Sequence, residues 1–201
     1  MKGEVISIIG APGSGKSFLV KQLACKQCLP AFFEGEEGIF PEDVINVLNS
    51  EQDSHQRFQW LLNRTKKILE HAREIANNGM AVFVDGDVLQ VQAWLDAEIG
   101  DKSPAVLNQW LKENMHLQAD KVIILHASLE KLLANRESRG RLSEQNDFIK
   151  QRSERIQAAA LKLIDSNIHA RILDRSNLEF TDGKTLDNIL EFISKIPNRE
   201  S

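Results

Sequence analysis

Eight residues limit this chain more than any other stretch: Gly10-Ala11-Pro12-Gly13-Ser14-Gly15-Lys16-Ser17. They match G-x-x-x-x-G-K-[ST] at every fixed position. Glycine permits backbone angles that a side chain forbids, so successive N–H groups can turn inward on one anion. The run Val5-Ile6-Ser7-Ile8-Ile9 before them reads as a buried strand, and Phe18, Leu19, Leu23 and Ala24 after them recur at helical spacing. A strand, a Gly-rich turn and a helix N-terminus in that order aim free donors and a helix dipole at a phosphate. Lys16 is expected to reach the β- and γ-oxygens of a nucleoside triphosphate, with ATP the expected nucleotide, and the Ser17 hydroxyl to ligate Mg²⁺. An accidental Gly-rich turn would account for the glycines but not for the strand and helix around them.

The same alternation continues along the chain. Ala31 to Glu34 reads as a second short strand, and Pro41 as the first turn of a helix reaching about Leu48. From about Ser54 to Asn77, Phe58, Leu61, Leu62, Thr65, Ile68, Leu69, Ala72 and Ile75 form one apolar stripe, and Asn78-Gly79 ends the helix. Met80 to Val84 is a third buried run, closed by Asp85-Gly86-Asp87. Helical patterns follow over Leu89–Ile99 and Pro104–Leu117, then a strand at Lys121–Leu125 and a helix at Leu129–Glu137. Arg139-Gly140-Arg141 interrupts the helical pattern, which resumes over Phe148–Asp165. Arg171–Leu173 reads as a fifth strand and Leu186–Ile196 as the closing helix. Continuous apolar strands alternating with helices mean a parallel sheet covered on both faces. The expected fold is α/β: a P-loop NTPase, a three-layer sandwich with a five-stranded parallel sheet and a helical lid at about 136–147, in a single domain over residues 1–201.

Length and charge agree with one domain. The 201 residues suffice for a single core, and a formal charge of −4 gives no reason to expect a nucleic-acid backbone or an anionic membrane as partner. No apolar run approaches the ~18 residues that span a bilayer, and the N-terminal residues do not fit a signal peptide. Cys25 and Cys28 form a lone C-x-x-C with no second ligand pair to complete a zinc site. They are expected to be small packing residues with free thiols, which suits a cytoplasmic location.

Several residues outside the loop carry candidate chemistry. Glu34 follows the second strand, where α/β sheets place ligands, and a carboxylate there can accept a hydroxyl proton; a surface acid beside Glu36 and Glu37 is the alternative. Arg139 and Arg141 sit in a break between helices, where a flap could close on the triphosphate; a solvated helix end is the alternative. Asp85 ends a buried strand and could hold Mg²⁺ or its water shell, or else cap the next helix. The Gln59 amide could pair with a base edge, or simply lie exposed on its helix.

Five stretches in this order resemble the deoxynucleoside kinase family of P-loop kinases, bacterial deoxyguanosine and deoxyadenosine kinases in particular. They are the phosphate loop, Phe33-Glu34, the helix segment Arg57 to Arg64, the run Arg139-Gly140-Arg141-Leu142-Ser143-Glu144, and Ile172 to Phe180. The resemblance implies ATP- and Mg²⁺-dependent phosphoryl transfer to the 5′-hydroxyl of a nucleoside. Glu34 would then be the proton acceptor, Gln59 the base reader, Arg139 and Arg141 lid cations, and Glu144 a contact to the sugar 3′-hydroxyl. The last stretch would pack near adenine. The family forms dimers, so the resemblance also implies a homodimer, with the stripe from Phe58 to Ile75 as a candidate contact. Two departures bear on the acceptor. The family carries an Arg after the acid that ends the third strand, whereas here the run is Asp85-Gly86-Asp87, and the chain contains no Tyr to partner Glu144. A kinase of a nucleoside monophosphate or another small metabolite therefore stays open, with Arg57 and Arg64 as extra cations. So does a non-catalytic ATP-binding regulator.

Overall fold

The computed structural model describes residues 3–33, 54–98, 105–138 and 147–199. Five strands form one parallel sheet in the order β2-β3-β1-β4-β5. They are β1 (Val5–Gly10), β2 (Ala31–Phe32), β3 (Val82–Asp85), β4 (Lys121–His126) and β5 (Ala170–Asp174). β1 lies in the middle, and every side chain of β1 and β3 is buried. Their continuous apolar runs follow from that position, because a central strand has no wet face.

Helices cover both faces. On one face, Leu19, Val20 and Leu23 of α1 (Lys16–Gln27) pack with Leu186, Ile189 and Ile193 of α7 (Gly183–Ser194) against Ile6, Ile8, Phe83, Ile123 and Leu125. On the other, α2 (Ser54–Asn77), α3 (Val88–Glu98) and α6 (Asp147–Lys162) close over Val5, Val82, Val84, Val122 and Ile124. The two sets alternate along each strand, as the period-2 geometry of a strand requires. α4 (Ala105–Asn114) runs into a 3-10 turn at Met115–Leu117, and α5 (Leu129–Glu137) follows β4. This is the α/β P-loop NTPase architecture, with helices flanking a five-stranded parallel sheet.

The amphipathic stripe of α2 is absorbed within the chain. Ile68, Leu69 and Ala72 join the main core, while Leu61 and Leu62 pack against Val91 and Leu95 of α3. These five side chains belong to the chain's own core, and the side chain of Phe58, where the stripe begins, lies outside the described residues.

Local contacts set the helix boundaries. α7 begins at Gly183 rather than Leu186 because Asp182 caps it, its Oδ2 accepting from Thr185 N and Oγ1, each at 2.8 Å. α1 ends before Pro30: Cys28 adopts φ 52°, and its N–H closes on Ala24 O and Cys25 O. Cys25 and Cys28 are free thiols, as expected, but both are exposed rather than packed. The buried face of α1 is taken by Leu19, Val20, Leu23 and Ala24, which leaves Cys25 on the solvent side. The helix read over 41–48 lies outside the described residues. No described helix is long and apolar enough to cross a membrane.

Candidate functional site

β1 ends at the centre of the sheet, where the strand order runs outward in both directions and α/β folds place their ligands. The phosphate loop begins there. Gly10, Gly13 and Gly15 all have positive φ, at 152°, 88° and 91°. Gly15 is the N-cap of α1 and has no side chain to cap the first turn, so the helix N-terminus is left open toward the loop. Its position is also crowded: a Cβ built there would lie 2.0 Å from Arg175 Nη1. Lys16 is the first residue of α1 and is largely buried at the loop.

Ser17 and Asp85 meet across the β1–β3 edge. Ser17 Oγ donates to Asp85 Oδ2 at 2.5 Å, and Asp85 Oδ1 is buried without a hydrogen-bond partner. Asp85 itself is 4% exposed. A buried carboxylate oxygen with no donor is costly unless a cation or its water completes it. The hydroxyl and carboxylate pair therefore fits Mg²⁺ of the kind that takes few protein oxygens and keeps phosphate and water as its other ligands. Among the described residues, no group of three or more His, Cys, Asp or Glu gathers elsewhere as a metal site.

Beside Asp85 a small hollow of about 10 Å³, room for one water, lies between α2 and the β3–α3 turn, lined by Arg64, Thr65, Ile68, Asp85, Gly86 and Gln90. Gln90 links its floor to the loop, since its Oε1 accepts from Gly10 N at 2.8 Å. Asp87 also borders the hollow, but its oxygens are engaged: Oδ1 accepts from Leu89 N at 2.5 Å and Oδ2 from Ala119 N at 3.1 Å. Asp87 thus starts α3 and ties it to the segment before β4. Burial pushes its carboxyl above the ordinary range, against those two bonds and the charges of Arg199 and Arg73. The arginine that the resembling family carries directly after this strand's acid is absent here, where Gly86 follows Asp85, and Asp87 one residue on is a structural acid.

The remaining sequence candidates divide plainly. Glu34, Arg139, Arg141 and Glu144 lie outside the described residues. Gln59 is on α2, near its N-terminal end, and its side chain is outside the description. Two residues to which sequence reasoning assigned no loop contact do reach the loop. Asn135 of α5 donates from Nδ2 to Gly13 O at 2.9 Å, and Arg175 donates from Nη1 to Ser14 O at 2.7 Å. The Arg175 guanidinium is 7% exposed and stacks on Phe180, 4.4 Å from the ring centroid. Its neighbour Asp174 is held below the ordinary carboxylate range by the backbone and hydroxyl bonds of Ser176, which shapes the turn leaving β5. The available signal was positional: Arg175 directly follows a parallel strand, at the same sheet edge as the loop.

Comparison with known proteins agrees with this geometry. A model of the AAA domain family matches residues 5–165. No curated protein matches the sequence. Among solved structures, a deoxyadenosine kinase from M. mycoides with bound dATP superposes with a TM-score of 0.71 at 17% identity, covering 95% of this chain and 100% of that one. A thymidylate kinase from Candida albicans gives 0.68 at 14% identity, covering 100% of this chain and 96% of that one. The thymidylate kinase from Ehrlichia chaffeensis gives 0.67 at 13% identity, with 96% and 99% covered. At these identities the likeness is one of fold, a P-loop fold like those of nucleoside and nucleotide kinases. With its loop, strand and helix in place and the family match extending over most of its length, this chain belongs to the AAA domain family of P-loop proteins.

Proposed function

We propose that this protein is a kinase that moves the γ-phosphoryl group of Mg²⁺-bound ATP to the 5′-hydroxyl of a nucleoside or deoxynucleoside. The observation that carries the reading is the double membership of Asp85. It meets Ser17 of the phosphate loop on one side and lines the hollow beside α2 on the other. Asp85 thus stands between the donor phosphates and α2, the helix on which the resembling family reads its acceptor. On this reading residues 1–201 act as one domain, with a lid at about 136–147.

Each residue then has a physical task. Loop N–H groups and Lys16 neutralise the β- and γ-oxygens. Ser17 and Asp85 would hold Mg²⁺, which when bound screens the phosphates and fixes their geometry. Arg139 and Arg141 would supply charge from the lid as the transferring group loosens. Glu34, after β2, would take the proton of the attacking hydroxyl. Gln59 would meet the base and Glu144 the sugar. A second reading, a nucleoside monophosphate as acceptor, is favoured by one observation: Arg64, a cation that could meet a second phosphate, lines the same hollow as Asp85.

The test is turnover of Mg·ATP with a panel of nucleosides and their monophosphates, with Lys16→Ala as the control. Phosphorylation of nucleosides supports the first acceptor, and of monophosphates alone the second. Nucleotide binding without transfer to any member of the panel refutes the kinase reading. Glu34→Gln should cut kcat by about 10²–10⁴-fold while ATP still binds; near-normal turnover removes Glu34 as the base.

A further inference from the structure

We infer that Arg175 and Asn135 are positioning residues that set the phosphate loop for its anion by holding two consecutive loop carbonyls outward. The inference rests on the nucleotide-binding part of the function above and not on any acceptor. In a trans peptide the C=O and N–H point in opposite directions. The carbonyl of Gly13 shares its peptide with the N–H of Ser14, and the carbonyl of Ser14 shares its peptide with the N–H of Gly15. Asn135 Nδ2 holds the first carbonyl at 2.9 Å and Arg175 Nη1 the second at 2.7 Å. Both partner N–H groups are thereby turned to the opposite side. The Ser14 N–H closes a turn on Ala11 O at 3.1 Å, which fixes the bend of the loop, and the next peptide turns the Gly15 N–H toward the anion.

The construction of Arg175 suits this task. A buried guanidinium is expensive unless its hydrogen bonds and stacking are fixed. Here Nη1 is on Ser14 O, the face is on Phe180, and the tip fills the space a Cβ of residue 15 would take, leaving Nε buried with no hydrogen-bond partner. The arginine has no freedom to serve another site. It also places a positive charge directly behind the loop, where it draws phosphate without touching it. Asn135 is seated on α5, the helix that leads toward Arg139 and Arg141. The loop is thus held from the β5 side and from the α5 side at adjacent peptides.

Preorganised donors bind an anion without reorganising, so releasing either carbonyl should weaken phosphate binding. Calorimetry on the full chain would compare Mg·ADP and inorganic tripolyphosphate. Arg175→Met retains the stem against Phe180 and removes the donors. It should weaken both probes by roughly 10- to 100-fold, and Asn135→Ala by roughly 3- to 10-fold, as expected for one charged and one neutral hydrogen bond. Arg175→Lys keeps the charge with one donor direction and should recover part of the loss. Guanidinium ion at millimolar concentration should recover part of it in Arg175→Ala. A purely structural role would lower thermal stability without an equal loss for the two probes and without rescue. Wild-type affinity in folded Arg175→Met overturns the role of Arg175. If that variant does not fold, wild-type affinity in Asn135→Ala overturns the inference. A wild-type chain that binds neither probe overturns the nucleotide reading and this inference together, whereas a binding wild type with unaltered variants overturns this inference alone.

Discussion

Gly15→Ala tests the phosphate loop with the smallest side chain available. Gly15 has φ 91° and ψ 20°, so alanine there occupies the left-handed region at about 1–2 kcal/mol. The added methyl would also lie 2.0 Å from Arg175 Nη1, far inside contact distance. The guanidinium cannot stay, and its bond to Ser14 O is lost, a charge-assisted interaction of about 1.5–3 kcal/mol. The two together predict a loss of about 2.5–5 kcal/mol, a large part of the stability of an ordinary domain. Gly79→Ala is the matched control. Gly79 has φ 92° at the end of α2, so it carries the same backbone strain without Arg175. Urea unfolding should show about 1–2 kcal/mol for Gly79→Ala and clearly more for Gly15→Ala. Calorimetry should show that only Gly15→Ala loses Mg·ADP affinity. Equal destabilisation by the two alanines, with Mg·ADP bound normally by both, would refute the crowding argument.

Two further outcomes follow from buried groups. Asp87→Ala removes the acceptor for Leu89 N and Ala119 N, and each buried N–H left alone costs about 1–3 kcal/mol, so thermal unfolding should drop markedly; Asp87→Asn keeps one oxygen and should be milder, and a neutral Asp87→Ala would contradict this role. Burial holds the His169 imidazole below its usual 6.5, with Arg199 adding to that and Asp120 opposing. The neutral ring accepts from Gln118 Nε2, whose other bond is to Asn167 Oδ1, and protonation would set two donors face to face. Below 6.5 the unfolded chain binds more protons than the folded one, so the His169 contribution is full above that pH and is lost as pH falls through its lowered value. His169→Gln should flatten the fall in urea midpoint across that window, and an unchanged slope would exclude His169 as its source.

The sheet and its helices were legible because burial writes itself into a short pattern. Val5 to Ile9 and Val82 to Val84 read as buried runs because β1 and β3 are covered on both faces, whereas Met80, read as part of the third strand, precedes it and is half exposed. α2 was readable to both ends because its stripe repeats at helical spacing and Asn78-Gly79 stops it. The phosphate loop was legible because its chemistry needs adjacent residues. Cys25 and Cys28 were misplaced because a small thiol fits a buried or an exposed position, and periodicity alone decides which; Leu19, Val20, Leu23 and Ala24 had already filled the inner face. Asp87 could not be read as a brace, because its partner Ala119 is distant in sequence. The loop contact of Arg175 was hidden for the same reason: its bond to Ser14 spans 161 residues, and its place after a parallel strand points to the ligand end of the sheet but not to Ser14.

That separation has a consequence for how the loop acquires its shape. Local sequence supplies the capacity to bend, through three glycines, but not the choice among the conformations glycine permits. Three groups from distant segments make that choice: Gln90 on Gly10 N, Asn135 on Gly13 O and Arg175 on Ser14 O, at separations of 80, 122 and 161 residues. None of these contacts can form until α3, α5 and the turn after β5 are docked on the sheet. The shape of the phosphate loop in the native state therefore depends on the finished sheet, not on the motif alone. Substitutions far from the motif, on α5 or after β5, should act on phosphate affinity while leaving every motif residue intact.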